Sequence, residues 1–244
     1  MKTFLTIIFL TTFCALPVLA DETFEKDRIK TSSGDLEITF IGHGSLMLAF
    51  NGKIIQVDPF SKLADYSKFP KADLILITHE HQDHLDPAAL AAVRTKDSIV
   101  VITDKCADKV SGNTVMKNGE VRTFLGIIVE AVPAYNIVHK RDTGEPFHPK
   151  GSGNGYVLTF GDKRVYIAGD TENTPEMKAL KKIDVAFLPM NLPYTMTPEM
   201  VADAARAFAP GVLYPYHFGT TNPELIEELL KDRKDIEVRI RRMK

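Results

Sequence analysis

The sequence predicts an α/β protein built as two sheets packed face to face, with helices on the outside. Three observations carry that prediction. Hairpin-like strands come first and strand–helix alternation follows, and this order occurs in both halves of the chain. A helix with one apolar face opens at Thr197-Pro198-Glu199, where Met200, Val201, Ala204, Ala205 and Phe208 recur at helical spacing. No Ser/Pro/Gly-rich linker divides residues 21–244, so they are expected to form a single domain.

The elements follow in order. In residues 1–20, Lys2 is the only charge ahead of an apolar stretch over 4–16, and Val18-Leu19-Ala20 offers small residues for cleavage. That stretch is too short to span a bilayer comfortably, so a signal peptide removed after Ala20 is expected, with no stable membrane span. Cys14 lies within it, but Thr11-Thr12-Phe13 is a poor lipoprotein processing context. The expected location is therefore outside the cytoplasm, periplasmic or secreted. Residues 22–33 are polar and read as an adaptable arm. Residues 36–50 are rich in apolar side chains, and Asn51-Gly52 signals a hairpin before the strand Ile54-Ile55-Gln56-Val57. Leu74-Ile75-Leu76-Ile77-Thr78 has the length and branching of a buried strand. Asp86-Pro87 then supplies an N-cap and a first-turn proline for an alanine-rich helix.

Residues 98–103 read as another buried strand, followed by a short helix at 104–110 and a strand at 127–132. Strands at 156–160 and 164–168 are joined by a Gly161-Asp162 turn. Gly151-Ser152-Gly153-Asn154-Gly155 lacks the Gly-Lys-Ser/Thr of a phosphate-binding loop and precedes a strand, so it reads as a flexible loop or turn. Thr174-Pro175-Glu176 opens a short helix before a strand at 183–188. After the helix at 197 come a strand at 213–216, a helix from Asn222-Pro223-Glu224 to 230, and a strand at 236–240.

Composition excludes some roles. At 44% hydrophobic and 25% charged, 244 residues suit an ordinary globular protein able to bury its own core. The net charge of −2 becomes −3 when the leader takes Lys2 with it, and no basic stripe appears, so a nucleic-acid partner is not expected. Cys106 would then be the only cysteine, which rules out an intrachain disulfide and leaves a packed thiol.

The chemistry concentrates at His79-Glu80-His81-Gln82-Asp83-His84, in the loop at the carboxyl end of the strand 74–78. Open α/β folds place their sites there. Three imidazoles and two carboxylates within six residues suit a bound cation better than a solvated loop. Other strands end in further candidates: Gly169-Asp170-Thr171 follows Val165-Tyr166-Ile167-Ala168, and His217 follows Leu213-Tyr214-Pro215-Tyr216. A loop between them and the first cluster holds Asn136, His139 and His148.

The order His-x-His-x-Asp-His, then Gly-Asp-Thr after a hairpin strand, then a late histidine, resembles the metallo-β-lactamase superfamily. Gly42-His43-Gly44-Ser45, Val57-Asp58-Pro59-Phe60 and Tyr214-Pro215-Tyr216-His217-Phe218-Gly219 are similar to its branch containing the ascorbate-phosphate lactonase and the N-acylphosphatidylethanolamine phospholipase. The resemblance covers nearly all of residues 21–244. It implies a four-layer αββα sandwich of two mixed sheets with flanking helices. It also implies one or two divalent transition ions, Zn²⁺ first with Mn²⁺, Fe²⁺ or Ni²⁺ as alternatives. One ion would take His79, His81 and a further histidine; the other would take Asp83, His84 and His217, with Asp170 bridging. Asp83 and Asp170 are the catalytic carboxylates in this scheme.

Many relatives carry a histidine where this chain has Asn136, whose carbonyl is a weak ligand. His148 is the candidate to fill the place, because Pro149 biases its backbone to an extended form. A solvent-facing His139, or no third histidine, are the alternatives. Asp58 could orient a ligand imidazole, His43 could be a structural or a substrate-contacting histidine, and Tyr194 a packing or pocket-lining tyrosine. The implied function is an exported hydrolase using a metal-bound hydroxide on an ester, lactone, amide or phosphodiester of a small molecule or lipid. A binding protein that kept the scaffold and lost turnover is the alternative. β-Lactamases in general lack the bridging aspartate, and a ribonuclease would need an additional nucleic-acid-binding segment. The oligomeric state is left open.

Overall fold

The protein is described by a computed structural model over residues 24–243; the expected signal peptide lies outside the described residues. Two seven-stranded mixed sheets form the frame. The first contains β1 (Glu25–Thr31), β2 (Gly34–Gly42), β3 (Ser45–Phe50), β4 (Lys53–Val57), β5 (Leu74–Leu76), β6 (Ile99–Ile102) and β7 (Thr114–Val115), side by side in chain order. The second contains β8 (Val121–Phe124), β9 (Ile127–Ala134), β10 (Gly153–Phe160), β11 (Lys163–Ile167), β12 (Val185–Pro189), β13 (Val212–Tyr216) and β14 (Glu237–Val238), again in chain order. Each sheet starts with four antiparallel strands and ends with parallel ones, so the two halves of the chain repeat one plan. The parallel part of each sheet is where carboxyl-terminal loops gather along one rim.

Helices α1 (Pro87–Val93), α2 (Pro175–Lys178), α3 (Pro198–Phe208) and α4 (Leu225–Leu229) complete the layers. Strand alternation sorts the side chains of β5 between two cores. Leu74 and Leu76 enter the large cluster between the sheets, while Ile75 packs with Leu90 and Val93 of α1 on the other face. Both faces are covered, which is why the segment reads as a continuous apolar run. The Asp86 carboxylate caps α1 by accepting from the Ala88 and Ala89 amides. Thr197 caps α3, whose Val201, Ala204, Ala205 and Phe208 join the large core, and Ala209 ends it in the left-handed region at φ 48°.

Within the expected arm, the described residues 24–33 are not adaptable. Glu25–Thr31 forms β1 and pairs residue for residue with β2, and Asp27 accepts from Nε and Nη2 of Arg241 as well as from the Tyr214 hydroxyl. An edge strand with polar outward side chains carries little hydrophobic signal, which explains the misreading. The glycine-rich run at 151–155 is not merely a loop either. Gly153 and Gly155 lie inside β10, where an added Cβ would sit 2.9 Å from the Ala134 carbonyl and 2.7 Å from that of Ala168. These glycines serve close backbone approach to β9 and to the end of β11. The short edge strands β7 and β8 lay in segments with no alternation strong enough to read.

Candidate metal centre

Each of the candidate side chains sits at the same rim. His43 occupies the β2–β3 turn, Asp58 follows β4, and residues 79–84 follow β5. Asn136 follows β9, His148 precedes β10, Asp170 follows β11 and His217 follows β13. The 79–84 loop folds on itself as the His84 and Leu85 amides donate to the His81 carbonyl. His43, Asp58 and His217 have φ of 48°, 42° and 45°, three of the seven non-glycine residues with positive φ among those described. Backbone strain of this kind persists where surrounding contacts impose it, and it concentrates here. At Gly44 a Cβ would lie 2.9 Å from His84 Cε1 and 3.4 Å from His217 Cδ2, so only glycine lets the β2–β3 turn close over these rings.

Two donor groups result. In the first, His81 Nδ1 lies 3.0 Å from His79 Nε2 and 3.2 Å from His148 Nε2. In the second, His84 Nε2 lies 3.2 Å from His217 Nε2, and Asp83 Oδ2 lies 3.7 and 3.6 Å from those two atoms. Asp170 stands between them. Its Oδ2 is 3.3 Å from His148 Nε2 and 4.0 Å from His79 Nε2, whereas its Oδ1 is 3.4 Å from both His84 Nε2 and His217 Nε2. Asp170 Oδ1 is buried without a hydrogen-bond partner among the described residues.

The outer partners define which nitrogen of each ring is free. Asp58 Oδ1 accepts from the Thr78 amide at 2.8 Å, and its Oδ2 accepts from the Thr78 hydroxyl at 2.6 Å and faces His84 Nδ1 at 2.8 Å. Because the Thr78 hydroxyl donates to Asp58, its oxygen accepts from His79 Nδ1 at 3.1 Å. Asn136 donates from Nδ2 to Glu172 Oε1 and to the Tyr194 carbonyl, so its Oδ1 accepts from the His148 amide and from His148 Nδ1, both at 2.8 Å. With their protons on Nδ1, His79 and His148 turn bare Nε2 lone pairs toward the same point. A single His81 proton cannot serve both. In a tetrahedral site with bonds of about 2.0–2.1 Å, donor atoms lie roughly 3.3 Å apart. The observed separations run from 3.0 to 4.0 Å around that spacing, and the donor set fits divalent transition ions.

Electrostatics agrees. Burial would lower the His84 pKa, but the Asp170, Asp58 and Asp83 carboxylates outweigh it and push the ring up to about 9. The three carboxylates thus favour positive charge at the site. Burial together with neighbouring imidazoles holds His79 far below the ordinary histidine value. Burial also lowers His81 and His43. Asp170 stays well below the usual carboxylate range despite burial, because the His217, His84 and His148 rings face it. Asp83 is lowered against burial by the His217 ring that faces it and by the hydrogen bond from His43.

The structure thus brings His79, His81, Asp83, His84, His148, Asp170 and His217 together, with Asn136 and Asp58 behind them. His43 donates from Nε2 to Asp83 Oδ2 at 3.0 Å, and its ring lies against that of His217, 3.6 Å between centroids and tilted by 36°. Tyr194 lines the cavity, 45% exposed, with its ring edge-on to Phe147 at 5.0 Å. His139 is not solvent-facing: its ring turns inward, with Nδ1 2.8 Å from Glu172 Oε1. Sequence reasoning missed Glu172, a fully buried carboxylate that accepts from the Ile137, Val138 and His139 amides and so shapes the loop leading to His148. It missed Thr78, and also Arg141, Phe147 and Asn191, which line the cavity of about 340 Å³ over the donor groups. None of these sits in a recognisable motif. Cys106 is a buried thiol raised by burial and lies near Thr103, outside this set.

Two clustered histidine–carboxylate groups on an αββα frame define a metallo-hydrolase. Residues 37–217 match the family described as the Beta-lactamase superfamily domain, and the chain belongs to that superfamily as a metal-dependent hydrolase. It is 33% identical over 201 residues to a UPF0173 metal-dependent hydrolase of Ligilactobacillus salivarius, covering 77% of this chain and 87% of the relative. A crystal structure from Parabacteroides distasonis, described as a metal-dependent hydrolase, is 53% identical with a TM-score of 0.87, covering 91% of this chain and all of the other. Igni18, a metallo hydrolase from Ignicoccus hospitalis, shares the fold at 24% identity, with a TM-score of 0.70 over 84% of this chain and 94% of the other. Among the described residues no helix is long and apolar enough to cross a membrane.

Proposed function

We propose that this hydrolase is exported and acts with two divalent transition ions, Zn²⁺ foremost, on an ester, lactone, amide or phosphodiester of a small molecule. The observation that carries this reading is Asp170, whose two oxygens face two separate histidine groups. Imidazole nitrogens accept Zn²⁺, Mn²⁺, Fe²⁺ or Ni²⁺, so the donor set names a class of ions. When bound, such a pair supplies Lewis acidity and lowers the pKa of water towards neutrality.

The chain's own groups do the positioning. Asp58 and Asn136 keep the protons of His84 and His148 on Nδ1, away from the reaction centre. Asp83 holds His43 through Oδ2. Phe147 and Tyr194 wall one side of the cavity, and Asn191 lines it as well. A volume of about 340 Å³ lies at the small end for ligand sites, which favours a small molecule over a lipid.

Elemental analysis of purified residues 21–244 should find about two transition ions per chain, and a panel of lactones, carboxyl esters and phosphodiesters should reveal turnover that chelation abolishes. Absence of metal after reconstitution would end the catalytic assignment, and metal without turnover on any member would leave a binding protein. For export, mass spectrometry in the native host should find an amino terminus at Asp21; an intact Met1 on a cytoplasmic protein would refute it.

A further inference from the structure

We propose that Arg141 is an anchor for an oxyanion in the metal cavity, so that the substrate is a small molecule carrying a carboxylate or phosphate beside its scissile bond. The inference rests on the hydrolase reading and narrows its substrate class. Arg141 lines the cavity together with His81, Asp83, His148, Asp170 and His217. Its backbone is fixed by a tight turn: the Arg141 amide donates to the Glu145 carbonyl and the Gly144 amide donates to the Arg141 carbonyl, each at 2.8 Å. Its guanidinium lies over the Phe147 ring, 5.1 Å from the centroid, and that ring is braced edge-on by Tyr194. Stacking of this kind presents the planar N–H fork to one side instead of leaving it to sweep solvent.

What the guanidinium lacks is an acid. Eight of the ten described arginines lie within 4.0 Å of a carboxylate. Arg141 does not, although Asp142 and Glu145 are its near neighbours in sequence; its one side-chain hydrogen bond is a 3.5 Å contact to the Phe147 carbonyl. Arg94, the other exception, lines a separate cavity beside α1 and donates to the Gly112 carbonyl. The carboxylates inside the cavity, Asp83 and Asp170, are already committed to the histidine groups. An exposed fork braced at the wall of a small cavity, with no carboxylate partner among the described residues, fits the planar edge of a carboxylate or phosphate.

The test uses the protein purified from metal-supplemented medium, with inorganic phosphate and acetate as separate calorimetric probes. Arg141→Gln should weaken binding of the preferred anion by about tenfold or more, and Arg141→Lys should restore part of it. Whichever anion loses affinity identifies the group. Metal content should equal the parent's. In turnover, the parent's preference for a carboxylate-bearing aryl ester over its neutral counterpart should fall about tenfold in Arg141→Gln, expressed in KM. Unchanged affinity for both anions would overturn the proposal, and so would a parallel loss of metal, which would make Arg141 a brace for the loop. A parent that hydrolyses nothing would refute the hydrolase reading alone, because the anion titration still reports on Arg141.

Discussion

Replacing Asn136 with alanine tests the logic of the first donor group most directly. The substitution removes four hydrogen bonds: two from His148 to Oδ1, at 2.8 Å each, and two from Nδ2, to Glu172 at 3.1 Å and to the Tyr194 carbonyl at 2.9 Å. His148 is 4% exposed and keeps its place in the fold, but nothing then holds its proton on Nδ1. Loss of such an orienting partner costs about 10–100-fold in metal affinity, which is about 1.4–2.7 kcal/mol. The Tyr194 carbonyl and the His148 amide left unpaired add about 1–3 kcal/mol of lost fold stability each. Competition against a chromophoric chelator should show one weakened site and one unchanged, because His84, His217 and Asp83 do not touch Asn136. Asn136→Asp retains the acceptor but sets a carboxylate about where an amide stood 3.1 Å from Glu172. It should be less stable than the alanine variant at pH 7 and recover as the pH drops towards 4, where one of the two acids takes a proton. If Asn136→Ala binds both ions as the parent does, His148 does not serve as a donor held by Asn136.

Three further outcomes are expected. His148→Ala should lose about one ion per chain, whereas His139→Ala should keep the parent's metal content, since His139 faces Glu172 and lies outside the donor groups; elemental analysis decides, and equal loss in both would sink the assignment. Gly44→Ala should lower metal content at the His84/His217 group, because its Cβ would lie 2.9 Å from His84 Cε1; parent-like occupancy would show that the turn yields freely. At Asp27, burial opposes ionisation, but hydrogen bonds from Tyr214 and Arg241 outweigh it and keep the carboxyl below its usual range. A depressed folded pKa gives stability that is complete above the unfolded value near 3.9 and is lost as the pH falls through the folded one. Urea unfolding should therefore find Asp27→Asn less stable than the parent by about 1.5–3 kcal/mol at pH 7, with the gap closing below about pH 4; a gap independent of pH would refute the ion pair as its source.

How much could be read from the sequence followed from how local each signal was. Residues 79–84 were legible because one loop holds four donors and both neighbouring elements announce themselves, an apolar strand before and a capped helix after. Asp170 and His217 were legible because each directly follows an apolar strand. Thr78, Glu172 and Arg141 were not, since their roles arise from contacts across tens of residues: Glu172 reaches back to the 137–139 amides, and Arg141 gains meaning only from the cavity that Asp170 and His217 close. The edge strand β1 was lost for the opposite reason. Its partner is close in sequence, but an edge strand half exposed to water has no need of the apolar alternation by which strands are recognised. Glycine misled at 153 and 155, where it marks tight packing between strands instead of freedom.

The exchange of histidine for asparagine at 136 has a geometric reason. The Asn136 amide donates to the His148 carbonyl at 2.9 Å, so these residues stand opposite each other at the mouth of the hairpin that β9 and β10 form, where Gly153 pairs with Ala134. Side chains on facing positions of a hairpin reach the same space. Either position can then supply the imidazole, and the other can supply the oxygen that holds its proton. On this reasoning the double exchange Asn136→His with His148→Asn should retain two ions per chain, while His148→Asn alone should lose one. The pair would be measured by elemental analysis and by thermal melts with and without chelator, since a bound ion stabilises the fold in proportion to its affinity. A double variant no better than the single one would show that the site needs the imidazole from 148 itself, with its approach set by Pro149, and that facing positions in this hairpin are not equivalent.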